Sequence, residues 1–173
     1  MDAAPFTGRF GENSEMASDQ QIIDALRALP SQIEELVRGL SEDALCWRPS
    51  PGEWSIKEVC CHLRDDAEIH GERIHRMLSE EEPFLAAYDQ EALARERHYQ
   101  SESMPLLLAA LRAYWGGVAY LLENLSEDEW QRPGRHEQRG PITVALEAGV
   151  MANHAREHLG QIRAVRGQLA PGR

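Results

Sequence analysis

Positive charge is scarce in this sequence. Lysine and arginine together number 18 against 29 aspartate and glutamate residues, which leaves a formal net charge of -11. Such a chain offers little attraction to the phosphates of nucleic acids or to anionic membrane surfaces. The composition therefore counts against nucleic acid and against membrane lipid as partners.

Long hydrophobic runs and cysteines are also few. The most apolar stretch, residues 106–122, is interrupted by Arg112 and is too short to favour a membrane span. Residues 1–18 show neither the basic nor the apolar segment of a secretion signal. An odd number of cysteines, two of them adjacent, does not suggest a disulfide framework; they are Cys46, Cys60 and Cys61. We therefore expect a cytoplasmic protein.

Helical periodicity is what the sequence does contain. Apolar residues spaced by three and four from Asp19 to Leu40 predict a first helix. Ser55 and Glu58 form an S-x-x-E capping box, which predicts a second helix from Ile56 to about Leu78. These two segments indicate helices that bury one face each.

Two further long helices are predicted from the positions of proline and glycine. The third begins near Pro105 and runs to about Asn124, and the fourth begins at Pro141 and ends at Gly167. We expect the third helix to be buried by neighbours on several sides, because most of its faces are apolar. No segment alternates with a period of two for long enough to predict a strand. The sequence therefore predicts an all-α architecture.

The connection between the second and third helices, residues 80–100, is too long for a tight hairpin. It is predicted to be a crossover that contains a short helix at 89–97. The predicted domain spans residues 19–167. It is preceded by a flexible tail at 1–18 and followed by a short tail at 168–173.

The stretch MANHAREHLGQIR, residues 151–163, places His154 and His158 on the same face of the fourth helix. Imidazole is a good ligand for zinc, nickel, copper or iron, and two imidazoles buried side by side without a shared partner are costly. The spacing fits a pair of metal ligands and also fits two hydrogen-bonded core histidines. The order H-A-R-E-H lacks the glutamate of H-E-x-x-H, so zinc peptidase chemistry is excluded.

A third ligand has to come from elsewhere in the chain. His62 is favoured because Asp66 lies one turn further along the same helix, where a carboxylate can orient an imidazole. His70 is the reserve candidate on that helix. Cys60 is expected to act as a small buried hydrophobe, and Cys61 cannot aim at the same ion as the adjacent His62. The other histidines are expected at the surface: His75, His98 and His136.

The segment LSEDALCWRPSPGEWSIKEVCCHLRDDAE, followed much later by NHAREHLGQIR, resembles the DinB/YfiT-like superfamily, specifically its DinB-like domain, over residues 19–167. The resemblance implies a four-helix bundle, often dimeric, in which three histidines bind a divalent metal at one end. One histidine comes from the second helix and two come from the fourth, which correspond to His62, His154 and His158. Zinc, nickel and iron all suit such a site.

Three neutral protein ligands leave a coordination position open, which is typical of catalytic sites. The superfamily includes S-transferases that use bacillithiol or mycothiol and a branch that isomerises maleylpyruvate with mycothiol. The resemblance therefore implies activation of a low-molecular-weight thiol for transfer to a small-molecule electrophile. A second hypothesis is hydrolysis by a bound hydroxide that Asp66 or Gln161 orients. A third is a non-catalytic, metal-binding stress-response protein that acts through a partner.

Overall fold

The computed structural model describes residues 17–169, and within that range four long helices pack around one core. The elements follow one another in the order α1 (Asp19–Val37), α2 (Glu42–Cys46), α3 (Ile56–Ser79), β1 (Phe84–Leu85), α4 (Gln90–Glu96), a 3₁₀ turn (Tyr99–Ser101), α5 (Met104–Glu123), α6 (Glu127–Trp130), β2 (Pro133–His136), β3 (Gly140–Thr143) and α7 (Val144–Gly167). The all-α prediction is confirmed as a four-helix bundle. The predicted tails lie mostly outside the described residues, at 1–16 and 170–173.

The long helices do not follow one another around the bundle in chain order. α1 packs against α5 and α7, and α3 also packs against α5 and α7, so α1 lies diagonally opposite α3 and α5 lies diagonally opposite α7. The connections from α1 to α3 and from α5 to α7 therefore cross the bundle, whereas α3 and α5 are neighbours joined by a long connection. The predicted crossover between α3 and α5 is confirmed, and it contains α4 close to the predicted 89–97. The arrangement brings α3 against α7, the two helices that carry the candidate ligands.

The predicted start of α3 is confirmed in atomic detail. The Ser55 side chain accepts a hydrogen bond from the Glu58 backbone N–H, while the Glu58 side chain accepts one from the Ser55 backbone N–H. The two orphan donors of the first turn are therefore satisfied reciprocally. Arg48 also pairs with the Glu58 carboxylate. This cap sets where α3 begins and so sets the position of His62 along it.

The prediction that the chain contains no strand is wrong. β1 pairs with β2 in parallel, and β2 pairs with β3 as an antiparallel hairpin. Strands of two to four residues are too short to show a period of two, which is why the pattern missed them. Pro141 lies in β3 rather than in the first turn of α7. That helix begins instead at Val144, where the Thr143 hydroxyl accepts from the Leu146 backbone N–H.

α5 is less buried than the sequence predicted. One side supplies Leu111, Trp115 and Leu122 to the core, but Leu106 and Tyr120 on the other side are 70% and 69% exposed. Among the described residues, α5 is the one helix whose length and composition would allow a membrane span, a test that core helices of soluble proteins also pass. Because it packs against α1 and α3, we assign it to the bundle.

Replacing Trp115 by alanine is expected to lower the free energy of unfolding by ~4 kcal/mol. The Trp115 ring is fully buried, and its Nε1–H donates to the Leu63 carbonyl oxygen at 2.9 Å, so the change leaves a cavity and removes one buried hydrogen bond. Urea unfolding followed by circular dichroism measures the loss. The control is Tyr114→Ala, at the neighbouring exposed position, which should cost less than ~1 kcal/mol. Equal losses in the two variants would contradict this assignment of the core.

Candidate metal centre

Three imidazoles meet where α3 packs against α7. His62, on α3, is fully buried, and His154 and His158, on α7, are partly exposed. The His62 Nε2 and His154 Nε2 atoms are 2.8 Å apart, and the His158 Nε2 and His154 Nε2 atoms are 3.1 Å apart. The ligand atoms of all three residues lie within 4.8 Å of one another. The structure thus brings together the three histidines that the sequence selected.

Neighbouring side chains fix the orientation of two of these rings. The Trp54 ring lies 5.1 Å from the His62 ring, centroid to centroid. The His158 Nδ1 atom is 2.8 Å from the Gln161 Oε1 atom, so an Nδ1–H donates to the amide oxygen and Nε2 keeps its lone pair. Gln161, which the sequence suggested as an orienting group for water, is therefore hydrogen-bonded to the candidate metal ligand His158.

The environment keeps two of the imidazoles neutral. Burial, reinforced by the neighbouring histidines, lowers the pKa of His62 to about 3. Burial and the nearby His154 lower the pKa of His158 to about 4. A neutral imidazole offers a lone pair to a metal ion, whereas an imidazolium does not. Both side chains are therefore ready to act as ligands at neutral pH.

Asp66 brings a carboxylate to the same place. Its Oδ1 atom accepts a hydrogen bond from the Tyr88 hydroxyl at 2.8 Å. Its Oδ2 atom lies 3.8 Å from His154 Nε2 and is buried without a hydrogen-bond partner among residues 17–169. Burial alone would raise the pKa of Asp66, but the adjacent His70, His154 and His62 outweigh it and hold that pKa well below its usual range. The site therefore contains an ionised carboxylate with one oxygen still available.

The other candidates from the sequence do not join the cluster. His70 is buried and lies between Asp66 and Glu147, with its Nδ1 atom 2.8 Å from Glu147 Oε1. Cys60 and Cys61 are fully buried, and burial raises the pKa of both thiols, that of Cys61 to about 12. The sequence treated His70 as a reserve ligand and the cysteines as poor ones, and the structure places all three outside the converging set.

The surface prediction holds for two histidines and is wrong for the third. His75 and His98 are exposed, as expected. His136 is buried in β2, where its Nδ1 atom accepts from the backbone N–H groups of Gln138 and Arg139. Burial, aided by the Arg139 charge, lowers the pKa of His136 to about 4. The short hairpin that buries this residue is the element that the periodicity missed.

Sequence reasoning also missed a buried acid on α7. Glu147 is fully buried and pairs with His70, Arg73 and Arg139. Its position seven residues before His154 places it on the same helix face, two turns earlier, which is the one signal that the sequence offered. Burial would raise the pKa of Glu147, but His70 and Arg139 lower it to about 2.

The buried His70 is expected to make stability depend on pH. Burial lowers its pKa, but Asp66 and Glu147 outweigh burial and raise that pKa from 6.5 to about 9. A raised pKa means that the stabilisation is complete below pH 6.5 and is lost as the pH rises through 9. We expect the difference in free energy of unfolding between the wild type and His70→Gln to fall by roughly 3 kcal/mol over that window. Urea titrations at several pH values measure it, and a difference that stays constant or grows with pH would contradict it.

Residues 25–162 match the family model of the DinB superfamily. The chain belongs to the DinB superfamily. A relative from Oceanobacillus iheyensis, named provisionally as a metal-dependent hydrolase, is 27% identical over 145 residues, which cover 81% of each chain. A relative of the same provisional name from Geobacillus kaustophilus is 28% identical over 151 residues, 85% of this chain and 83% of its own.

Two solved structures share the fold of this DinB-superfamily chain. YfiT from Bacillus subtilis, described provisionally as a metal-dependent hydrolase with an unusual four-helix bundle topology, has a TM-score of 0.81 and 22% identity, covering 90% of this chain and 89% of YfiT. A mycothiol-dependent maleylpyruvate isomerase has a TM-score of 0.68 and 11% identity, covering 84% of this chain and 61% of the isomerase. At these identities the likeness establishes the fold.

Proposed function

We propose that this DinB-superfamily protein is a metal-dependent enzyme that acts on a small molecule, with one divalent ion held by His62, His154 and His158. The observation that carries the proposal is the convergence of three Nε2 atoms at separations of 2.8 and 3.1 Å. Two nitrogens bound to one tetrahedral zinc ion at ~2.1 Å are about 3.4 Å apart, so small ring movements would accommodate an ion. Zinc, nickel and iron all suit this donor set.

One orphaned polar atom supports the fit of a cation. Asp66 Oδ2 is buried without a hydrogen-bond partner among the described residues. A buried, unsatisfied polar group costs ~1–3 kcal/mol, and a carboxylate costs more. A cation beside the Asp66 oxygen would offset the cost of burying that charge. The names of the relatives, which state metal dependence, are in line with this donor set.

An ion at this site would lower the pKa of a bound water or thiol towards neutral pH, and this is the chemistry that the ion would supply. Asp66 Oδ2 is placed to accept a hydrogen bond from that nucleophile and so to orient it. Our leading proposal is that a low-molecular-weight thiol is the nucleophile. Its sulfur loses the proton to solvent and forms a C–S bond to the electrophile, which releases a halide ion or opens an epoxide ring. The fold shared with a mycothiol-dependent isomerase supports it.

Hydrolysis is the second candidate, and a specific observation favours it. The relatives that match over about four fifths of this chain carry the provisional name of metal-dependent hydrolase. The same three histidines and the same Asp66 would then serve a water molecule in place of a thiol. The two candidates therefore differ in the nucleophile and share the site.

One set of assays separates these candidates. Tag-free protein loaded with zinc, nickel or iron is incubated with halide and epoxide electrophiles, with and without cysteine-derived bacterial thiols, and with ester and amide substrates. Thiol consumption that needs both metal and electrophile supports transfer, and thiol-independent ester or amide cleavage supports hydrolysis. A loaded protein that is inert with every combination would overturn both and leave a non-catalytic metal-binding role.

We also propose that the protein is a cytoplasmic homodimer that pairs through the exposed side of α5. This side carries uncharged residues at helical spacing: Leu106, Ala109, Ala113, Gly117 and Tyr120. Apolar surface of this kind is stabilised by burial against a second copy. The reduced cysteines and the relatives from bacteria support the compartment.

The dimer gives a direct expectation for molecular mass. Sedimentation equilibrium of the wild type should report twice the 19.5 kDa chain mass. Ala113→Arg should return the mass to that of one chain, because it places a charge at the centre of the paired surface. The control is Ala164→Arg, at an exposed position on α7, which should remain dimeric. A wild type of single-chain mass, or an Ala113→Arg variant that stays dimeric, would contradict the α5 interface.

A further inference from the structure

A chain of buried polar side chains leads away from the three histidines between α3 and α7. Asp66 Oδ1 lies 3.5 Å from His70 Nε2, and His70 Nδ1 lies 2.8 Å from Glu147 Oε1. All three side chains are at most 6% exposed. We call this group the Asp66–His70–Glu147 chain. It joins the candidate metal centre to the start of α7.

Two arginines pair with Glu147, at the far end of the Asp66–His70–Glu147 chain. Glu147 accepts from Arg73 Nη1 at 3.3 Å and also pairs with Arg139. Arg139 lies in the turn between β2 and β3, so the hairpin supplies one of the two cations that neutralise Glu147. The β2–β3 hairpin therefore has a physical role, because it covers a buried carboxylate at the base of α7.

A contribution to stability does not by itself explain why so many charges are buried here. Replacing a buried ion network by hydrophobic residues of similar volume is often neutral or stabilising. The geometry instead orients one group, the Asp66 carboxylate. Tyr88 and His70 both approach Asp66 Oδ1, which fixes the rotation of the carboxylate and leaves Oδ2 directed towards His154. Without these partners the carboxylate could rotate or shift to other donors.

We infer that His70, Glu147 and Tyr88 are positioning residues that hold Asp66 Oδ2 towards the nucleophile. Glu147 holds the His70 ring through Nδ1, and the ring then presents Nε2–H to Asp66. A carboxylate behind a histidine fixes the orientation of the ring in the same way in metal proteins. This inference rests on the proposed function, since it concerns the carboxylate that serves the same nucleophile.

A double-mutant cycle in the affinity for Co²⁺ tests it without an enzymatic assay. Affinity is measured by competition with a chelator for the wild type, Glu147→Gln, Asp66→Asn and the double variant. If Glu147 acts through Asp66, Glu147→Gln should weaken Co²⁺ binding by ~10-fold in the wild-type background and by less than about twofold in the Asp66→Asn background. The same weakening in both backgrounds would overturn the inference, because a long-range charge or a purely structural role predicts additivity.

Two further variants secure the interpretation. Tyr88→Phe removes one hydroxyl from a half-buried side chain, is expected to fold, and should show the same loss of effect in the Asp66→Asn background. Asp65→Asn is the matched control, because Asp65 is equally buried on α3 but faces Tyr99 and Arg97. It should combine additively with Glu147→Gln. Additive behaviour of either Glu147→Gln or Tyr88→Phe with Asp66→Asn would overturn the positioning role of that residue, whereas a wild type that binds no Co²⁺ would overturn the proposed function itself.

Discussion

Replacing His62 by alanine is expected to abolish stoichiometric metal binding. His62 supplies one of three converging Nε2 atoms and is the only one of the three from α3. Its loss would leave an i,i+4 pair on one helix, which binds divalent ions far more weakly than a site closed from two helices. Elemental analysis of tag-free protein after dialysis should give about one ion per chain for the wild type and almost none for His62→Ala. His154→Ala and His158→Ala should behave in the same way.

The matched control for these variants is His75→Ala. His75 lies on the same helix as His62 but is exposed, so its removal should leave the metal content unchanged. Circular dichroism shows whether each variant keeps its helix content. Full metal content in a folded His62→Ala protein would contradict the three-histidine site, as would an equal loss of metal in His75→Ala.

Changing Asp66 to asparagine is expected to lower kcat by ~10²–10³-fold, the range for loss of one preorganised electrostatic contact at a reacting group. The substitution keeps the size of the side chain and removes the charged acceptor that orients the nucleophile. The measurement is kcat at saturating metal, with the thiol or ester substrate that the assays above identify. KM for the electrophile or the ester should change much less, because Asp66 acts on the nucleophile and not on the molecule that the nucleophile attacks.

The metal content of the Asp66→Asn protein shows whether Asp66 is a metal ligand. At saturating Co²⁺, Asp66→Asn should keep one ion per chain, since the three imidazoles remain. An unchanged kcat would rule out Asp66 as the group that orients the nucleophile. A protein that loses its ion even at saturation would assign Asp66 to the ligand set and close the position that a substrate needs.

The sequence predicted the part of the site that depends on local spacing. His154 and His158 are four residues apart on one helix, and this spacing fixes them on one face in any fold that keeps the helix. The capping box at Ser55 and Glu58 set the start of α3, and with it the position of His62 along the bundle axis. Asp66 follows His62 by one turn for the same reason. The prediction that α3 and α7 meet came from the resemblance to the superfamily and not from the spacing of residues.

The rest of the site depends on contacts between distant segments. Glu147 approaches His70 only because α3 and α7 are neighbours in the bundle, and periodicity carries no information about which helices pair. Tyr88 reaches Asp66 from the crossover after β1, a segment without a repeating pattern. The hairpin that buries His136 and delivers Arg139 has strands too short for a pattern to detect. The exposed side of α5 was missed because its apolar composition suggested burial on every face.

X-ray absorption spectroscopy of tag-free, metal-loaded protein tests the central claim most directly. The account predicts three imidazole nitrogens at ~2.1 Å and at least one further position, filled by an exchangeable oxygen that a sulfur atom replaces when the reactive thiol is added. Fewer than three imidazoles, or a fourth ligand from the protein that no added thiol or anion displaces, would contradict an open three-histidine centre.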